Sequence, residues 1–265
     1  MNIFWREIKY YKKGLLFWSL GMALLIWSSM IKYSTFQTAG QSVTDLISKF
    51  PQSIQTIFGL TGFDLTKASG FYGVMFMYIV LMVTIHAAML GAGIMSKEER
   101  DRTSEFIFVK PVTRNKVITA KIMAGLVGLI AFNIVTLLSS ILFINLYSHT
   151  LDFINDIYML MAGLFFMQLI FFFIGTATAA ISKKPKLSAS IASAVLLVTF
   201  ILTYLISFNN DLDYLKYLTP FKYFDAKDIL AHHSLDIVYM SLSLVIVAVT
   251  TLVTYVSYNN RDLEV

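Results

Sequence analysis

Cysteine is absent from the 265 residues, and proline occurs only four times. Without cysteine there is no disulfide framework, thiolate zinc site, iron–sulfur cluster or thiol nucleophile, although the redox compartment stays open. Charge is scarce as well: Asp, Glu, Lys and Arg make up 14% of the chain, against about 25% in an average soluble protein. The motifs of hydrolytic chemistry are missing too. There is no H-E-x-x-H for a membrane metalloprotease, and His232 and His233 are adjacent, not at the i, i+4 spacing that puts two ligands on one helical face. That pair reads as structural or interfacial. No G-x-S-x-G nucleophile elbow occurs, and no paired carboxylates lie within the apolar stretches. G-x-x-x-x-G-K-S/T is also absent, so the chain does not itself cradle nucleotide phosphates. No catalytic residue and no metal ligand is expected.

What is there is apolar. Hydrophobic residues make up 57% of the chain, more than one soluble core of this size can hide. Six stretches hold no Asp, Glu, Lys or Arg: residues 14–31, 68–96, 122–151, 157–182, 187–210 and 237–260. A bilayer core takes roughly 20 apolar helical residues, and each stretch is near or above that length. None shows the charged outer face that a buried soluble helix would carry. The expectation is an all-α membrane protein, a single transmembrane domain over 1–265, with spans at about 14–33, 70–95, 119–147, 157–181, 188–208 and 237–258.

Orientation follows from the connections. With the N-terminus inside, fifteen Lys and Arg fall on inner segments; six fall on outer ones, beside nine Asp. Positive loops tend to stay cytoplasmic, which places both termini there and segments 34–69 and 209–236 outside. The net charge of +5 is then a matter of topology, and a nucleic-acid partner loses its support. The first stretch has no small-residue cleavage pattern behind it and reads as an uncleaved helix. Before it, Ile3, Phe4, Trp5, Ile8 and Tyr11 oppose Arg6, Lys9, Lys12 and Lys13, describing an interfacial elbow helix over 1–13 or an ordinary basic anchor. Val43, Leu46, Ile47, Phe50, Ile54, Ile57 and Phe58 form one stripe, broken at Pro51 and stopped by Gly59, which predicts two short amphipathic surface helices. Tyr214, Tyr217, Tyr223 and Phe224 around Pro220 suit an aromatic belt at headgroup level.

The six spans lack the intramembrane charges that proton relays and ion-coupled transporters use, which counts against a secondary transporter or pump. His86 is the one titratable group deep in a span and reads as bonded to a neighbouring helix. Ala87 with Gly91, Gly21, Gly125 with Gly128, and Ala189, Ser190, Ser193 and Ala194 read as helix-packing positions. Phe165, Phe166, Gln168 and Phe172 read as core or lipid-facing, or as the lining of a path for an apolar solute.

The most organised polar segment is 96–116. Its charges alternate through Lys97, Glu98, Glu99, Arg100, Asp101 and Arg102, which favours a short solvated helix with mutual pairing. Phe106, Ile107, Phe108 and Val109 form an apolar knob, and Lys110-Pro111 ends the run. Such a tip is suited to dock in a groove of a soluble partner.

At these residues the chain resembles the permease subunits of type-2 (ABC-2) ABC transporters. In that family the loop after the second helix carries acidic residues, then a run like G-T-L-E-x-L-L-x-x-P-V-S/T-R, then a lysine as the third helix begins. Glu98, Glu99, Thr103, Glu105, Phe106, Phe108, Pro111, Val112, Thr113, Arg114 and Lys121 match; Arg102 stands at the usual glycine and Ser104 at a usual leucine. Thr219-Pro220-Phe221-Lys222-Tyr223-Phe224-Asp225 resembles the family's S-P-F-x-Y-F stretch, and Arg261-Asp262-Leu263 its R-D-L ending.

The resemblance implies a permease dimer, of two chains expected to be identical, working with two ATPase subunits in a bacterial plasma membrane. ATP and Mg would bind in the partner, not here, and membrane lipid is the surroundings. It also implies a coupling helix in 96–116, with Glu98, Glu99, Arg102, Glu105, Phe106, Phe108, Lys110, Pro111 and Arg114 facing the ATPase. Charge-free aromatic spans suggest export of an antimicrobial peptide, a peptide antibiotic or a lipid-like molecule. The other readings from the residues alone are a membrane sensor or scaffold that does not transport, and a secondary transporter.

Overall fold

In lipid a backbone amide has nothing to bond but another amide, so long runs without charge or proline close into helices. The computed structural model describes residues 3–101, 112–149, 152–182 and 184–260, and among these the regular elements are all helical. They are α1 (Ile3–Ala39), α2 (Gln41–Ser48), α3 (Gln52–Ile57), α4 (Ala68–Arg100), α5 (Arg114–Ser148), α6 (Ile154–Ile181), α7 (Ser188–Phe208), α8 (Ala226–His232) and α9 (Ile237–Asn260), with short 3-10 turns before and after α7. Six of them, α1, α4, α5, α6, α7 and α9, are long and apolar enough to cross a membrane. An even number of crossings brings the last turn of α9 back to the end where α1 starts, called here the terminal end; the other is the far end.

α4 and α6 form the buried centre. α7 lies against both, α9 packs along α6, and α5 flanks the pair with α1 laid along its outer side. The core pair meets backbone to backbone. A methyl group added at Gly91 would overlap the Phe172 carbonyl, and one at Gly175 the Ala88 carbonyl, so glycine from each side lets the two axes close in. Gly125 does the same for the ring of Phe172. Polar side chains pin the remaining seams: Tyr72 Oη to Ser140 Oγ at 2.8 Å, Asn133 Nδ2 to the Met161 carbonyl at 3.2 Å, and the hydroxyls of Thr176 and Thr254 at 3.1 Å.

Two expectations change. Residues 3–13 are not a separate elbow: α1 runs 37 residues without a break, about 56 Å at ~1.5 Å per residue, and so reaches beyond a hydrocarbon core of about 30 Å. Nor are residues 96–100 a solvated helix of their own. They are the last turn of α4, and Ser96, Lys97 and Glu98 are buried. At the far end, α2 and α3 form as expected, with Pro51 opening α3 and Gly59 at φ 66° behind it; Leu46, Phe50, Ile57 and Phe58 are exposed on one side. The belt reading is half right. Tyr214 and Tyr217 are exposed, but Tyr223 stacks on Tyr239 (5.1 Å) and Phe224 on Phe166 (5.6 Å), both inside the bundle.

Candidate functional site

At the terminal end, α1, α4 and α5 converge on five charged side chains. Glu7 is fully buried and accepts from Lys97 Nζ at 2.6 Å and from Arg6 Nη2 at 2.8 Å. Arg6 Nη2 also reaches Glu98 Oε1, at 2.9 Å. Glu98 is buried in turn and pairs with Lys121, which has no solvent exposure and donates to the Ile94 carbonyl at 2.8 Å. Lys97 Nζ also lies 4.2 Å from the centre of the Tyr10 ring. Burying a charge costs several kcal/mol unless partners replace its water, and here every carboxylate has at least two cationic neighbours.

The chain order of this cluster matters. Lys97 and Glu98 stand just before the 102–111 segment, and Lys121 stands ten residues beyond it. The Glu98–Lys121 pair therefore ties the two flanks of that segment together, and Glu7 and Arg6 tie α1 to the same knot. Next to it, Arg114 opens α5, whose first turn is capped by Thr113. Its guanidinium donates to the carbonyls of Tyr258 (3.3 Å) and Asn259 (2.9 Å) in the last turn of α9, where a helix end favours positive charge. Asn259 Nδ2 to Asn115 Oδ1 at 2.6 Å repeats the link. On α4's last residue, Arg100 Nε donates to Asp101 Oδ1 at 3.0 Å.

Of the residues expected to face a partner, Arg102, Glu105, Phe106, Phe108, Lys110 and Pro111 lie outside the described residues, as does the Arg261-Asp262-Leu263 ending. Glu98 and Arg114 are placed in the bundle's own bonding, and Glu99 is half-exposed at the end of α4. The residues expected to line a solute path lie within the helix packing. Gln168 and Phe172 are fully buried, with Gln168 Oε1 accepting from Asn133 at 3.2 Å, and Phe165 and Phe166 are half-buried in helix packing. His86 also departs from expectation. It sits between the rings of Trp18 (5.4 Å) and Phe132 (4.6 Å), and its Nδ1 has no hydrogen-bond partner. His233, in contrast, does have a bonding role: at φ 52° it ends α8 and its Nδ1 meets Asp156 Oδ1 of α6 at 2.6 Å. Among the described residues no cluster of His, Asp or Glu has the form of a metal site.

Glu7 is the residue that sequence reasoning passed over. Its signal was present: it is the only acidic residue among the first 44, and it lies three residues after Phe4 and four before Tyr11, on the apolar side of a basic helix.

The cavities among the described residues include the following two. One, of about 250 Å³, lies between α1, α4 and α5 beside Glu7; the other, of about 130 Å³, lies at the far end among α4, α6, α7 and α8. No curated protein matches the chain. The family model described as ABC-2 family transporter protein matches residues 1–263, and the six apolar helices are those of a permease. A chain without phosphate-binding residues, matched over its whole length in this way, belongs to the ABC-2 family transporter proteins and is a membrane transport component that is not itself catalytic.

Proposed function

We propose that this chain is the permease subunit of an ATP-driven exporter, with both termini and the 96–116 segment on the cytoplasmic side of a bacterial plasma membrane. Two copies would pair, and each would take one ATPase subunit on its coupling segment, which also supplies the ATP and Mg sites. The cargo is amphipathic or hydrophobic: an antimicrobial peptide, a peptide antibiotic or a lipid-like molecule. The excess of Lys and Arg at the terminal end supports the orientation, and the charge-free spans support the cargo class.

The observation that carries this reading is the ion knot. A segment pushed by a motor can move a helix bundle only if its flanks do not give way. Here the flanks are joined by buried charge pairs whose separation would strand a charge in apolar surroundings, so displacement of 102–111 passes to α4, α5 and α1 together. The partner's work then enters as a bias between two arrangements of the bundle, no larger than the partner's differential affinity for them.

A tagged chain purified in mild detergent tests the proposal. A soluble protein carrying G-x-x-x-x-G-K-S/T should copurify, and export of a labelled amphipathic peptide from vesicles holding both proteins should require ATP. Export that proceeds on an ion gradient alone, with no such partner recovered, would refute the reading.

A further inference from the structure

The cavity between α1, α4 and α5 has features that helix packing does not call for. Its walls are apolar, with Leu15 and Trp18 of α1, Met89 and Leu90 of α4, and Val127 of α5 among them. Two of its polar atoms are buried without any partner: His86 Nδ1 and Tyr11 Oη. His86 itself is only 5% exposed. An unpaired buried donor or acceptor is destabilising, and a ligand's polar atom would recover that loss.

Glycine marks the same place from the other side. At Gly91, Gly175 and Gly125 a side chain would strike a neighbouring helix. At Gly128, on the cavity wall, an added Cβ would meet only Leu90 Cδ2 at 3.6 Å, and at Gly14 nothing within 4 Å. These two glycines keep space open where no helix crosses.

The mouth is basic. Of the two charged residues on its lining, Glu7 is already engaged by Arg6 and Lys97, which leaves the exposed Lys12 on the rim as the cation offered to a ligand. Met89 and Val127 are 45% and 42% exposed on the lipid-facing side, so the cavity opens toward the membrane. Trp18 lies eleven residues from Glu7 along α1, about 16 Å of trough at ~1.5 Å per residue.

We propose that this cavity binds a single-chain anionic amphiphile drawn from the surrounding leaflet, with its head at Lys12 and Tyr11, its chain along Trp18, and a polar substituent on the chain paired to His86. A chain oxygen gives the imidazole its missing bond, and Lys12 on the rim selects a carboxylate or phosphate head over an amine. This assignment does not depend on the transport reading and is tested on the chain without any ATPase.

The experiment uses the full chain in lipid nanodiscs. Of its three tryptophans, Trp5→Phe and Trp27→Phe leave Trp18 as the only indole. A dibrominated fatty acid should then quench Trp18 saturably. A fatty acid with a mid-chain hydroxyl should displace it about fivefold better than the unsubstituted acid, the worth of one hydrogen bond, and a fatty amine should displace it worse than either. His86→Leu should erase the hydroxyl's advantage. Gly128→Leu should fill the cavity and abolish saturable quenching while the protein unfolds at the same temperature as its parent. Quenching that rises linearly with probe, as from bulk lipid, or that survives Gly128→Leu would overturn the site. Equal displacement by hydroxylated and plain acids, or an advantage kept in His86→Leu, would overturn the role given to His86.

Discussion

The α4–α6 crossing and the α1–α4–α5 junction solve the same problem, holding helices together in lipid, by opposite means. At the crossing, glycine on both helices brings backbone against backbone, and the attraction is dispersion over a closely fitted surface with no charge in it. At the junction, five charged groups hold three helix ends while a cavity lies open beside them. A backbone contact has one good register and stiffens what it joins. A knot of charges is directional and leaves room next to it, so it can pass on a displacement and accommodate a ligand. The inert seam runs through the middle of the molecule, and the responsive one lies next to the segment proposed to meet the motor.

The sharpest way to break this contrast is to add one methyl-sized group in each place. Gly91→Ala or Gly175→Ala should prevent accumulation of folded protein, because the added methyl would meet backbone that cannot retreat. Gly128→Ala should be indistinguishable from the parent in thermal unfolding in detergent. Equal damage at Gly91 and Gly128 would remove the distinction between the two seams.

A smaller effect separates a charge knot from simple packing. Lys121→Met takes from the buried Glu98 the cation paired most closely to it and should cost about 3–5 kcal/mol. Combining it with Glu98→Gln should restore most of that loss, since the uncompensated charge is gone. Denaturant unfolding of the two single variants and the double variant gives the coupling directly; losses that simply add would mean that the pair does not act as a pair.

Arg114→Ala comes next. The carbonyls at the end of α9 would lose a charged donor, at a cost of about 1.5–3 kcal/mol, and faster hydrogen exchange confined to the last turn of α9 should report it.

The smallest effect lies at the far end, where exposed caps replace buried ions. The Thr66 hydroxyl and then its amide hold the Asp64 carboxylate below its ordinary pKa, partly opposed by burial. A lowered carboxylate stabilises above its unfolded pKa and loses that contribution as pH falls through its folded value. The parent should therefore lose slightly more stability than Asp64→Asn on acidification below about pH 4, and parallel curves would count against the cap.

How much of this was legible depends on which contacts are local. The six crossing helices could be read because the absence of charge over twenty or more residues needs no partner to interpret it. Pro51 and Gly59 were equally local and bounded α3 as expected. The knot was not legible. Lys97 and Glu98 looked like solvated charges and Lys121 like the start of a helix, because nothing in their spacing shows that two loop flanks and a distant leader meet. Tyr223 and Phe224 were misplaced for the same reason: an aromatic near a helix end suits both a headgroup belt and the core, and only the position of Tyr239 and Phe166 decides. Gly91 was read as a packing residue, but its counterpart Gly175 stands in a run of small residues with no sign of which one meets α4.

The central claim is that work from a soluble motor enters through the segment between α4 and α5. Its most direct test is the number of substrate molecules exported per ATP hydrolysed, in vesicles containing the chain and its ATPase partner, for the parent and for Phe106→Ala. The account predicts that the variant inserts normally and that hydrolysis continues, with export per ATP falling at least about tenfold, the equivalent of ~1.4 kcal/mol of lost coupling. An unchanged ratio would contradict it.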